Sequence, residues 1–173
     1  MKKLFLLLLL SAFVFQVNIY AQDQNDKSKR PSPPAKVSQT LSSGLVVTID
    51  YSQPSVKGRT VGKDIAPYGK VWRTGANEAT VFEISKDASL NGKALKAGKY
   101  SLYTIPGENS WVVILNKAWK QWGTVYNESE DALRFTVKPT KAPSFTEKMT
   151  FTISKTGVVS LMWGNSQINF TVK

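Results

Sequence analysis

The chain has 173 residues, 23 Lys and Arg against 12 Asp and Glu, a net charge of +11, and neither cysteine nor histidine. Without those two residue types, Ser–His and Cys–His nucleophilic sites and imidazole- or thiolate-ligated zinc are excluded. Carboxylates, lysine, tyrosine and all-oxygen metal sites are what remains for catalysis.

Residues 1–21 read as a secretory signal peptide. Met1-Lys2-Lys3 is a short positive start, Leu4 to Phe15 is an apolar run, and Ala21 supplies a small residue for cleavage. A run of about a dozen apolar residues fits a signal peptide, whereas a membrane-spanning helix needs about 20. The expected location is therefore periplasmic or secreted, with no membrane span after cleavage near Ala21. Lys2 and Lys3 leave with this segment, so the chain from Gln22 carries about +9. That balance favours anionic partners through long-range attraction. For an exported protein these are an anionic envelope ligand or a glycan, or a protein partner, and not nucleic acid.

Residues 22–34 are polar and then proline-rich, QDQNDKSKRPSPP, which reads as a disordered or extended tether. From residue 35 to 173 the pattern has a period of two. Leu45/Val47/Ile49/Tyr51, Leu133/Phe135/Val137, Met149/Phe151/Ile153, Val159/Leu161/Trp163 and Ile168/Phe170/Val172 each alternate with polar residues. Such alternation marks antiparallel strands with one wet face. Trp111 to Leu115 is apolar on both faces and predicts a fully buried strand. Turns are expected at Ser43-Gly44, Asn91-Gly92, Pro106-Gly107, Thr156-Gly157 and Gly164-Asn165. About ten strands result, and a single antiparallel β-sandwich is the expected fold, with a β-barrel as the alternative.

Two long connections interrupt the strands, residues 51–71 and 116–131. Long loops on a rigid sandwich are where binding residues usually sit. Pro67 to Thr80, PYGKVWRTGANEAT, gathers Lys70, Trp72, Arg73, Asn77 and Glu78. In a short strand there, Lys70 and Trp72 share one face while Val71 and Arg73 share the other. Arg73 offers a planar fork of donors for a carboxylate, a sulfate or sugar hydroxyls. Alternatively, Arg73 pairs internally with Glu78. Arg59, in YSQPSVKGR, joins Lys70 and Arg73 as a basic rim. Trp119 and Trp122, three residues apart in the second loop, share a face if they lie on a helical turn and then form stacking platforms.

Paired carboxylates are harder to find. A glycosidase needs two at roughly 5–10 Å. Glu78 and Glu83 fall on opposite faces of a strand, and Asp50 and Asp64 have no spacing signature. Glu128, Glu130 and Asp131 lack the alternating pattern and glycine of a calcium loop.

The segments YSQPSVKGR, YGKVWRTGANEAT and AGKYSLYTIPG, with the pair Trp122-Gly123, resemble a family of exported bacterial proteins, domain-of-unknown-function family 2911. The likeness runs over roughly residues 33–173. It implies an all-β domain behind a signal peptide and carries over no activity, substrate or catalytic residue.

The residues thus point to a non-catalytic binding or accessory module of the cell envelope. Arg59, Lys70 and Arg73 supply donors, Asn77 and Glu78 orient them, and Trp119 and Trp122 supply stacking area. No catalytic residue, metal ligand or cofactor is assigned. The alternative is a carboxylate-dependent hydrolase of envelope polysaccharide, with Glu78 as its acid.

Overall fold

The computed structural model describes residues 26–173, and the signal peptide read over residues 1–21 lies outside them. The described residues contain ten strands and two short 3-10 turns, and no α-helix. Six strands form one antiparallel sheet: β1 (Pro34–Thr40), β2 (Val46–Ser52), β3 (Val81–Ile84), β6 (Gly98–Ile105), β7 (Trp111–Asn116) and β8 (Asp131–Val137), in the order β1-β2-β3-β6-β7-β8. A long ribbon of β9 (Thr140–Ile153) and β10 (Val158–Thr171) forms the second layer, beside a small hairpin of β4 (Ala88–Leu90) and β5 (Lys93–Leu95). The all-β sandwich is what the period-two pattern predicts, and no sheet closes into a barrel.

Alternation decides which residues meet between the layers. Val47, Ile49, Phe82, Leu102, Val113 and Phe135 from the sheet share one core with Met149, Phe151, Leu161, Ile168 and Phe170 from the ribbon. Ring contacts bridge the two layers: Tyr51 to Phe151 at 5.0 Å, Phe82 to Phe170 at 6.1 Å and Phe135 to Phe170 at 5.6 Å. The Tyr51 hydroxyl also accepts from the backbone N–H of Phe151 at 3.2 Å. Each fully buried aromatic contributes about 1.5–3 kcal/mol from area alone. With no disulfide available, this packing and the ladders hold the domain.

Two details differ from the sequence reading. Gly164-Asn165 is not a turn; β10 runs straight through it. Gly164 has φ +59°, and the register against β9 shifts on both sides of it, so the glycine marks a bulge inside the strand. The hairpin β4–β5 around Asn91-Gly92 was legible only as a turn, because three-residue strands are too short to display a period.

The run Trp111–Leu115 is buried on both faces, as expected, but not between two sheets. Trp111, Val113 and Leu115 face the core, while Ile114 faces outward beside Tyr103 of β6. That outer face is covered by the loop between β7 and β8: Tyr126 packs on Tyr103 with centroids 4.9 Å apart. The loop lid over the outer face of β6 and β7 is what positions the site.

Candidate functional site

Trp72 is the hinge between core and site. It pairs through its backbone with Thr104, accepting and donating at 2.9 and 2.8 Å, and so adds one bridge along β6. Its ring stacks on Trp163 at 5.2 Å and meets Trp111 edge-on at 6.4 Å. With Trp72 anchored in the core, its neighbours Val71 and Arg73 both line a surface cavity of about 260 Å³ with Trp72, Tyr103, Gly123, Thr124 and Tyr126.

Arg73 is half-buried in this cavity. Its Nε donates a long 3.4 Å bond to the carbonyl of Gly75, and its two terminal nitrogens meet no acceptor among the described residues. The other arginines differ. Arg30 and Arg134 are paired with carboxylates, and Arg59 donates to the carbonyls of Val56 and Ser55 at 3.0 and 2.8 Å. Burial pushes the Tyr103 phenol up, against the bonds from Gln121 and Ser101 and, behind them, the Arg73 charge.

Gly123 makes the close approach on the opposite wall. A Cβ there would lie 2.4 Å from Arg73 Cδ and 2.8 Å from the carbonyl oxygen of Asn77, so only glycine fits without a shift. This gives the Trp122-Gly123 pair a physical role. Gly123 N–H donates to that Asn77 oxygen at 3.0 Å, and Ala79 N–H to the carbonyl of Gln121 at 3.1 Å. The second loop is thereby stitched to residues 77–79.

A polar network pins the rest of the loop. The Tyr126 hydroxyl donates to Asp131 Oδ2 at 2.8 Å and accepts from Arg134 Nη2 at 2.5 Å. Arg134 also pairs with Asp131 and, at 2.9 Å, with Glu128. Asn116 donates to Asp131 Oδ1 and to the carbonyl of Asn127, each at 2.8 Å. Burial first, and then the bond to Asp131, push the Tyr126 phenol up to about 12. The carboxylates of Asp131 and Glu128 are thus taken by Arg134.

The seven residues expected to form a site do not all converge. Arg73, Asn77, Glu78 and Trp122 lie together across the stitched segments, with Trp122 50% exposed and bridged to Glu78. Arg59 lines a separate cleft of about 220 Å³ with Phe145 and Asn165. Lys70 is exposed and lines neither cavity, so the basic rim is divided. No helical turn spans Trp119 to Trp122, so the shared face expected of them is not formed. Trp119 instead lies under Lys99, whose Nζ sits 5.2 Å from the ring centroid.

The expected internal pair of Arg73 with Glu78 is also absent. Nη1 of Arg30 reaches both oxygens of Glu78, at 3.0 and 2.9 Å, and Lys27 lies 3.0 Å from Oε1. Both cations come from the segment read as a tether, which in its described part forms a 3-10 turn over Lys27–Lys29 and lies against the domain. Burial pushes the Glu78 carboxyl up, but its own backbone N–H, Lys27 and Arg30 outweigh this and hold it at about 2.

The model of the family described as proteins of unknown function, DUF2911, matches residues 32–172. The chain belongs to this family. The DUF2911 match contains the whole Arg73 cavity, whereas Lys27 and Arg30, the partners of Glu78, fall outside it. No curated protein and no solved structure matches the chain.

Tyr103, Tyr126 and Thr124 were not singled out by sequence reasoning. Tyr103 sits on an alternating strand and reads as packing. Its signal was the pairing of an outward tyrosine with an apolar Ile114 on the face that alternation should leave wet.

Proposed function

We propose that this DUF2911 protein is a non-catalytic binding module for a small anionic ligand, held in the cavity around Arg73. The observation that carries the reading is the unfilled pair of terminal nitrogens on Arg73 at a concave, aromatic-walled surface. A guanidinium that has lost part of its water and gained no carboxylate is a strong donor for an incoming anion. The volume of about 260 Å³ lies just below the usual range of about 300–1,000 Å³ for drug-sized ligands and suits a single small molecule. A larger depression of about 420 Å³ includes Lys96, Lys117 and Asp131; Lys96 and Asp131 are already paired with Asp87 and Arg134, and Lys117 offers a point charge without the planar fork of an arginine.

The hydrolase alternative fares worse on chemistry. A general acid needs a raised pKa at its working pH. Glu78 is held at about 2 between two cations, which suits a structural carboxylate. A glycan platform is weakened by Lys99, which occupies one face of Trp119.

We further propose export. The support is the charged start, apolar run and Ala21 of residues 1–21. N-terminal sequencing of the protein from fractionated cells tests this, with Gln22 expected as the first residue.

Thermal-shift measurements with acetate, sulfate, inorganic phosphate and glucuronate test the binding reading. At 100 times its dissociation constant a ligand stabilises by about 2.7 kcal/mol. At least one anion should raise Tm in the wild type and not in Arg73→Met, which keeps the apolar stem and removes the charge. Equal shifts in both proteins would overturn the reading.

A further inference from the structure

The polar inventory of the Arg73 cavity narrows the class of anion. Four lining residues other than Arg73 carry a polar side-chain atom: Trp72, Tyr103, Thr124 and Tyr126. The Tyr103 hydroxyl has committed its proton, donating to the carbonyl of Val125 at 2.7 Å, and accepts from Gln121 Nε2 at 3.0 Å. The Tyr126 hydroxyl proton is likewise committed, to Asp131, while its oxygen accepts from Arg134. The donors left without a side-chain or backbone acceptor among the described residues are the Arg73 fork, the Thr124 hydroxyl and the Trp72 indole N–H. The remaining wall is the side chain of Val71 and the surfaces of Trp72, Tyr103 and Tyr126.

The mouth of the cavity is apolar as well. Residues 122–125 form a turn closed by Val125 N–H donating to the carbonyl of Trp122 at 3.0 Å. This turn brings Gly123 and Thr124 to the cavity and leaves Trp122 and Val125 at its edge, 50% and 54% exposed. Val71, on the facing segment, is 42% exposed. Three of the chain's exposed large hydrophobics therefore belong to the two segments that enclose this one cavity.

Resting on the anion-binding reading above, we infer that the ligand is a small carboxylic acid whose body is an apolar ring. The carboxylate takes the two terminal nitrogens of Arg73 side by side, and Thr124 donates to it or to a water beside it. The ring replaces water against Val71, Trp72 and the tyrosine faces. A sugar acid offers the same carboxylate but brings several hydroxyls, and tyrosines whose protons are already committed offer them no donor. Each stranded hydroxyl then lowers affinity. Inorganic phosphate or sulfate satisfies Arg73 and leaves the aromatic walls wet. Charge alone and apolar surface alone are both insufficient, because the walls hold one cation, two neutral free donors and otherwise apolar or ring surface.

Isothermal titration of the purified protein with benzoate, cyclohexanecarboxylate, acetate, glucuronate, inorganic phosphate and benzyl alcohol decides the matter. The two ring acids should bind at least tenfold tighter than acetate, glucuronate and phosphate, with benzyl alcohol weaker still. Arg73→Met should remove ring-acid binding. Thr124→Glu, at an exposed loop position, should do the same by charge repulsion without touching Arg73, and so guards against a folding defect in the first variant. If glucuronate or phosphate matches the ring acids and Arg73→Met still abolishes binding, the ring-acid class is wrong while the anion site stands. If no anion binds in an Arg73-dependent way, the site and the class both fall.

Discussion

A single nitrogen of Arg30, Nη1, lies 3.0 and 2.9 Å from the two carboxylate oxygens of Glu78, 48 residues away in sequence. That contact, with Lys27, fastens the segment before β1 to the loop that carries Asn77. Asn77 Nδ2 in turn donates to the carbonyl of Ser32 at 3.0 Å, and the Asn77 carbonyl holds Gly123. The chain entering the domain is therefore tied, through two residues, to the wall of the Arg73 cavity.

The pH dependence of this clamp has a definite sign. Glu78 is depressed from its ordinary 4.5 to about 2, so its stabilising contribution is present above 4.5 and is lost as pH falls towards 2. The carboxylate is 40% exposed, so solvent screening keeps the contribution small, about 0.5–1 kcal/mol. Glu78→Gln should lower Tm slightly at pH 7, and the difference from wild type should close between pH 4.5 and 2 in thermal melts.

Removing the cations should reveal the opposing effect. In Lys27→Ala/Arg30→Ala, burial acts on Glu78 with only the backbone bond against it. Carboxyl-carbon NMR titration should show the Glu78 pKa climbing from about 2 towards the ordinary value. An unchanged titration would mean that the segment before β1 does not rest on Glu78 in solution.

Gly123→Ala is expected to be costly for a surface loop. The added methyl meets Arg73 Cδ and the Asn77 carbonyl at once, so the loop must shift away from residues 73–77. Strain of this kind costs about 1–3 kcal/mol, measurable by urea denaturation. Ligand binding should weaken in the same variant, since the cavity wall moves.

Tyr126→Phe removes the hydroxyl shared by Asp131 and Arg134. The loss should be about 1–2 kcal/mol at neutral pH. The Tyr126 phenol is raised to about 12 from its ordinary 10, so its contribution is complete below 10 and lost as pH rises through about 12. Wild type and variant should therefore converge in stability between pH 10 and 12.

Much of the fold was legible because alternation is a local signal: the residues that face the core from β2, β8, β9 and β10 are those read from spacing. Spacing also put Trp72 and Arg73 on opposite faces, but it left open which face is the core, and the cavity takes in both. The partners of Arg73 and Glu78 did not. Arg30 sits in a polar, proline-rich stretch whose composition suggests no contact, and its partner is distant in sequence. The loop lid of Tyr126 over Tyr103 was equally hidden, since a covered outer face depends on how a long connection folds back. Arg59 and Lys70 matched Arg73 in chemistry, but one-dimensional proximity did not survive the turns at residues 57–69, five of which have positive φ.

The central claim is that Arg73 holds an anion in the cavity it shares with Gly123 and Tyr126. The most direct test is NMR mapping during a benzoate titration, following the Arg73 Nε–H and the backbone amides of Gly123 and Thr124. The account predicts saturable shifts confined to these groups and their neighbours on residues 71–73 and 121–126. Shifts centred on Arg59 or Lys70, or scattered over the basic surface without saturation, would contradict it.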